Sequence, residues 1–94
     1  MREYSVGGVR ADVTGMVEAI LAANGNTTDV VPDATLAEIG MTSIDMVNLM
    51  MDVEARYDMM IPAEYLTPEH FRSVSTIQEM IVELLTKDGL AKVA

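Results

Sequence analysis

Two stretches with opposite roles flank a long gap. Asn24-Gly25 can end a helix, since either residue accepts the left-handed cap conformation. Thr42, with Asp45 three residues on, can start one in the pattern of a capping box. Between them, Asn26 to Met41 shows no sustained helical period. It exceeds the roughly 12–15 residues beyond which structureless connections become uncommon in compact domains. Any fold for this chain has to anchor that connection. Val30, Val31, Leu36 and Ile39 can tuck into a core, and Pro32-Asp33 marks a bend. Thr35 with Glu38 suits one short helical turn ending near Ile39. Pinned in this way, the connection is expected to cross a helical bundle lengthwise and deliver the next helix nearly parallel to the first.

The segments around the gap read as helices. Val9, Val13, Met16, Val17, Ile20 and Leu21 share one face before Asn24. Gly7-Gly8 punctuates the chain ahead of that pattern, so residues 1–8 are expected to be a flexible tail. The next helix runs from about Ser43 to Tyr57. Steps of roughly 100° per residue separate two apolar stripes on it. Met46, Leu49, Met50, Val53 and Tyr57 form a core face. Ile44, Val47 and Met51 form a second stripe beginning beside Ser43, with Asn48 and Ala55 next to it and Glu54 at its edge. Ile61-Pro62 is an extended link, and Thr67-Pro68-Glu69 opens a short helix through about Arg72. Ser75 with Gln78 caps a last helix, with Ile77, Met80, Ile81, Leu84 and Leu85 facing inward. Residues 87–94 read as a second flexible tail, which leaves 9–86 as the folded domain. The expected class is therefore all-α.

Charge and composition narrow the function classes. Fifteen acids against six Lys and Arg give a formal charge of −9, which argues against nucleic acid and anionic membrane surfaces. The same charge suits partner proteins with basic docking surfaces. There is no cysteine, hence no disulfide framework and no thiolate metal site; a cytoplasmic location is expected. No apolar run is long enough to span a membrane. Only four residues are Phe or Tyr, and nine are Met, so the core is aliphatic and adaptable. His70 is the only histidine and has no partner for a triad or a metal site. The carboxylates lie along helix surfaces without a paired spacing. The chain is therefore read as having neither a catalytic site nor a metal site.

What remains is Ser43. It lies in the first turn of its helix, where backbone N–H groups are unpaired and the dipole is positive. A hydroxyl there can bear a phosphate-containing group with favourable electrostatics.

These residues also carry a family resemblance. Leu36-Ala37-Glu38-Ile39-Gly40-Met41-Thr42-Ser43-Ile44-Asp45, followed by Val47, Leu49 and Met50, resembles the phosphopantetheine attachment segment of acyl carrier proteins. Glu54 to Asp58, Ile61-Pro62 and Val74 to Ile77 are similar to later parts of the same pattern, so the likeness spans about Val9 to Leu85. The resemblance implies a four-helix bundle with a long first loop and a short third helix. It implies a monomeric phosphoprotein whose Ser43 takes a 4′-phosphopantetheine arm from coenzyme A through a separate transferase. The arm would hold acyl intermediates as thioesters for synthase or transferase partners of fatty-acid, polyketide or related biosynthesis. The alternatives are a discrete aminoacyl or peptidyl carrier, as in nonribosomal peptide assembly, loaded by an adenylating ligase, and a helical interaction module without the arm. The resemblance further implies that the helix after Ser43 is read by partners, through Thr42, Ile44, Asp45, Val47, Asn48, Met51 and Glu54. Thr42 departs from the pattern, which usually has Asp before the serine, and Asn48 stands where an acid is common.

Overall fold

The computed structural model describes residues 2–87 and 91–93. Three α-helices make up the body: α1 (Val6–Ala23), α2 (Ser43–Tyr57) and α3 (Val74–Lys87). Two short strands, β1 (Arg2–Tyr4) and β2 (Ala91–Val93), pair in parallel. A 3₁₀ turn covers Ala63–Tyr65. Helix α1 packs against both α2 and α3.

The core is aliphatic because the buried positions recur at helical spacing. Val9, Val13, Val17 and Leu21 form one unbroken seam on α1. Leu49, Val53 and Tyr57 answer it from α2, and Ile77, Met80, Ile81, Leu84 and Leu85 from α3. Each fully buried aliphatic side chain contributes roughly 1.5–3 kcal/mol by leaving water. Tyr57 also has its hydroxyl satisfied, donating to Asp12 Oδ2 at 2.8 Å. Burial, with that carboxylate second, pushes its pKa well above the usual tyrosine range. Arg56 pairs with the same Asp12 oxygen at 3.1 Å.

The long connection does not cross the bundle. The Asn26 side-chain amide donates to the Ile39 carbonyl at 2.9 Å, so the loop's start lies against its end. Asn24 reaches Asp45 at the beginning of α2, while Tyr57 at its end reaches Asp12 in the first half of α1. Helix α2 therefore runs back along α1, antiparallel rather than parallel to it. The middle of the loop docks on the approach to α3. The Leu36 amide donates to the Arg72 carbonyl at 2.8 Å, and Ser75 donates through its amide to the Pro32 carbonyl and through its hydroxyl to Asp33. Leu36 is fully buried, and the turn expected over Thr35–Ile39 forms, with Glu38 and Ile39 amides donating to the Thr35 carbonyl.

Other boundaries also move. Residues 1–8 are not all tail: Ser5 Oγ accepts the Gly8 amide at 2.9 Å and starts α1 at Val6, behind β1. At the other end Lys87 belongs to α3, residues 91–93 pair with β1, and 88–90 and 94 lie outside the described residues. The fourth helix, expected over Thr67–Arg72, is a single turn in which the Thr67 carbonyl accepts the His70 and Phe71 amides. It stops because Ser73 is committed to α3: Ser73 and Thr76 exchange amide-to-hydroxyl bonds at 3.0 and 3.2 Å. That reciprocal cap replaces the expected Ser75–Gln78 box. Gln78 instead accepts from Arg10 at 2.6 Å. The body is thus helical, with three α-helices, not four, among the described residues.

Gly40 closes the loop with φ +109°, a conformation that L side chains rarely adopt. A Cβ there would stand 2.7 Å from Asn26 Nδ2, in the bond that joins the two ends. Gly40→Ala should lower stability by more than about 1 kcal/mol, read from the urea midpoint at unchanged m-value.

Candidate functional site

Helix α2 begins with a capping box built from Thr42 and Asp45. Thr42 Oγ1 accepts the Asp45 amide at 3.2 Å, and Asp45 Oδ2 accepts the Thr42 amide at 2.9 Å. The same carboxylate takes the Asn24 side-chain amide, 3.2 Å from each oxygen. The Thr42 N–H first, then Asn24, holds the Asp45 carboxyl below the usual carboxylate range. One acid therefore caps α2 and ties its first turn to the C-terminal end of α1. Ser43, the first residue of the helix, is exposed beside this fixed point.

This geometry changes the expected role of two acids. Asp45, foreseen as a partner contact, is only 7% exposed and is already hydrogen-bonded within the chain. Glu54 is half-buried, and its Oε2 accepts the Ile61 amide at 2.9 Å, anchoring the link after α2. Asp45 offered a signal for its job in the Thr-x-x-Asp spacing; Glu54 offered none, since Ile61 lies seven residues on.

The second apolar stripe is uncovered. Ile44, Val47 and Met51 are 74%, 51% and 54% exposed, and Asn48 and Thr42 are exposed with them.

Beside Ser43, and meeting the stripe at Val47, is a groove that the sequence reading missed. It holds about 720 Å³ between α2, the Thr35–Ala37 turn and the segment 66–72. Ser43 lines it together with Met46, Val47, Met50, Phe71 and Arg72. Met46 and Met50 were assigned to the core face; they are half-buried and turn one side to this groove. The collapse of the fourth helix to one turn shapes its far wall. There Thr67 shares a 2.7 Å hydrogen bond with His70 Nδ1, and Tyr65 meets the imidazole edge-on. Glu69 at this wall is held below its usual pKa by its own amide and then by the Thr67 hydroxyl.

A flexible arm with both methylene and amide segments, joined to Ser43 through a phosphodiester, fits this setting. The attachment oxygen is in the open, the helix start favours the negative charge, and an apolar groove begins at the same residue.

Comparison with known proteins points the same way. The family model described as "Phosphopantetheine attachment site" matches residues 11–82. Aminoacyl carrier protein 1 of Bradyrhizobium diazoefficiens is 46% identical over 77 residues, covering 82% of this chain and 86% of the relative. Aminoacyl carrier protein 2 of the same organism is 40% identical over the same length. Among solved structures, a chain in the crystal structure of Bradyrhizobium japonicum glycine:[carrier protein] ligase complexed with glycylated carrier protein superposes with a TM-score of 0.68. It is 47% identical, and the match covers 77% of this chain and 97% of that one.

Thr42→Ala should cost about 1 kcal/mol of stability by chemical denaturation, the usual effect of removing such a cap. The Asp45 carboxyl has its pKa depressed by folding, so its contribution is present above the unfolded-state value of about 3.9 and is lost as pH falls through the folded-state value. An acid titration of unfolding free energy should therefore fall less steeply for Asp45→Asn than for the wild type.

Proposed function

Because the chain belongs to the phosphopantetheine-attachment family, a family of non-catalytic carriers that bear a covalent phosphopantetheine arm, we propose that it is a discrete aminoacyl carrier loaded at Ser43. The observation that carries the assignment is the exposed Ser43 hydroxyl at the capped start of α2, beside an apolar groove and an exposed apolar stripe that meet at Val47. The aminoacyl cargo is supported by the curated relatives at 46% and 40% identity and by the likeness to a carrier bound to a glycine ligase. The fatty-acyl and polyketide cargoes expected first give way to it.

Each residue has a role in presentation. Ser43 supplies the oxygen to which the transferase joins the arm. Thr42, Asp45 and Asn24 hold the start of α2, and with it the Ser43 backbone, at a constant place on the fold. The unpaired amides of the first turn and the helix dipole favour the phosphodiester. Bound there, the arm supplies a terminal thiol, which forms thioesters readily because its anion is both a good nucleophile and a good leaving group. The outer face of α2, with Ile44, Val47 and Met51, serves as the surface on which partner enzymes seat themselves.

The test uses intact mass. Apo protein incubated with coenzyme A and a broad-specificity phosphopantetheinyl transferase should gain one arm, and Ser43→Ala should gain none. The loaded protein with ATP, glycine and the Bradyrhizobium japonicum ligase should then gain one glycyl group. An arm that loads without glycine following would overturn the aminoacyl assignment, and an arm that persists on Ser43→Ala would overturn the site.

A further inference from the structure

Arg72 is unlike the other cations of this chain. Among the described side chains, Arg10 donates to Gln78 at 2.6 Å, Arg56 pairs with Asp12 at 3.1 Å, and Lys87 stands 6.0 Å from the centre of the Tyr65 ring. The exposed Arg72 guanidinium has no such partner, in a chain with 15 acids and a formal charge of −9. Its backbone, by contrast, is fixed. The Arg72 carbonyl accepts the Leu36 amide at 2.8 Å, Phe71 before it is buried, and Ser73 after it is held in the cap of α3. The residue is thus anchored at its root and free at its head. The acid nearest to it in sequence is Glu69, three residues before. That carboxylate is taken up within its own turn, by its own amide and the Thr67 hydroxyl. Among the described residues, Glu69 and Arg72 are the only charged ones that line the groove beside Ser43. The wall formed by α2 supplies no acid either, since Asp45 is spent on the cap and on Asn24, and the residue before Ser43 is Thr42.

Folding therefore leaves this arginine without a negative group, and the arm brings one. Its phosphodiester is joined to Ser43, which lines the same groove as Arg72. A guanidinium suits it in shape as well as charge, because two parallel N–H donors can meet two phosphate oxygens. The dipole of α2 favours the same negative charge but gives the arm no direction; a cation to one side does. We propose that Arg72 binds the phosphodiester of the arm on Ser43 and so turns the root of the arm toward the groove. The pairing confines the arm where it starts and leaves its thiol end free to reach partner enzymes. It also answers a cost of loading. The phosphodiester adds one more negative charge to a chain already at −9, and self-repulsion of that kind works against the compact state unless a cation receives it. The inference rests on attachment at Ser43, as proposed above, and is independent of which cargo the thiol carries.

The experiment compares urea unfolding of the apo and the arm-bearing protein, with intact mass confirming one arm per chain. At about 50 mM sodium chloride the arm should raise the wild-type midpoint by about 0.3 M at unchanged m-value, the size of one charge-assisted pair at the surface of a small domain. Apo Arg72→Gln should keep nearly the wild-type midpoint, because the side chain has no partner to lose. In Arg72→Gln the arm should bring no gain. In Arg72→Lys it should bring about half, since the charge is kept and the two-point match is lost. At about 500 mM sodium chloride the wild-type gain should fall by at least about half, as screening shortens the reach of the pair. Nuclear magnetic resonance gives a local readout: exchange of the Arg72 Nε proton with water should slow when the arm is added. An arm that raises the midpoint of Arg72→Gln as much as that of the wild type would overturn the proposal, because the groove then holds the arm without the arginine. So would an Nε proton indifferent to the arm. If Ser43 takes no arm, intact mass shows it, and the attachment reading falls together with this one. If the arm loads and Arg72→Gln gains as the wild type does, only the role of Arg72 falls.

Discussion

The Asp45 carboxylate is the interaction on which the working end of the molecule depends. It caps α2 through Thr42 and reaches across to Asn24, so the end of one helix and the start of the next become a single rigid joint. A carboxylate is suited to this because its two oxygens can accept several N–H groups at once. Without the joint, the long connection between Asn26 and Met41 would leave Ser43 at the end of a hinge. With it, the connection is free to do something else, and its middle braces the start of α3 through Leu36, Asp33 and Pro32.

Much of this was legible in the residues. The apolar seams of α1, α2 and α3 follow helical spacing, and Thr42 with Asp45 announces a cap at short range. What was not legible depends on contacts between residues far apart in the chain. Nothing in the run from Asn26 to Met41 says that its ends meet, because the bond from Asn26 to Ile39 is made by an ordinary polar side chain. The fourth helix failed for a similar reason: Thr67-Pro68-Glu69 is a sound start, but Ser73 is taken by the cap of α3 before a second turn can form.

The candidate site shows the same division. Ser43 and the stripe of Ile44, Val47 and Met51 could be found by position on one helix. The groove could not, since its walls come from three separated segments. The acids were misjudged in the other direction. Counted along the chain, Asp45 and Glu54 look available to partners; in the fold they are spent on backbone amides. Net charge describes what a partner meets from afar, and the hydrogen-bond pattern decides what it meets on contact.

The paired strands have a consequence of their own. Tyr4, at the end of β1, meets Tyr57 edge-on at 5.2 Å, so the strands gather at the C-terminal pole of α2. Ser43 lies at the opposite pole, about 20 Å away along a 15-residue helix. Anything fused or immobilised through either strand is therefore held by the far handle. It leaves Ser43 facing outward, at the end of the molecule away from the point of attachment.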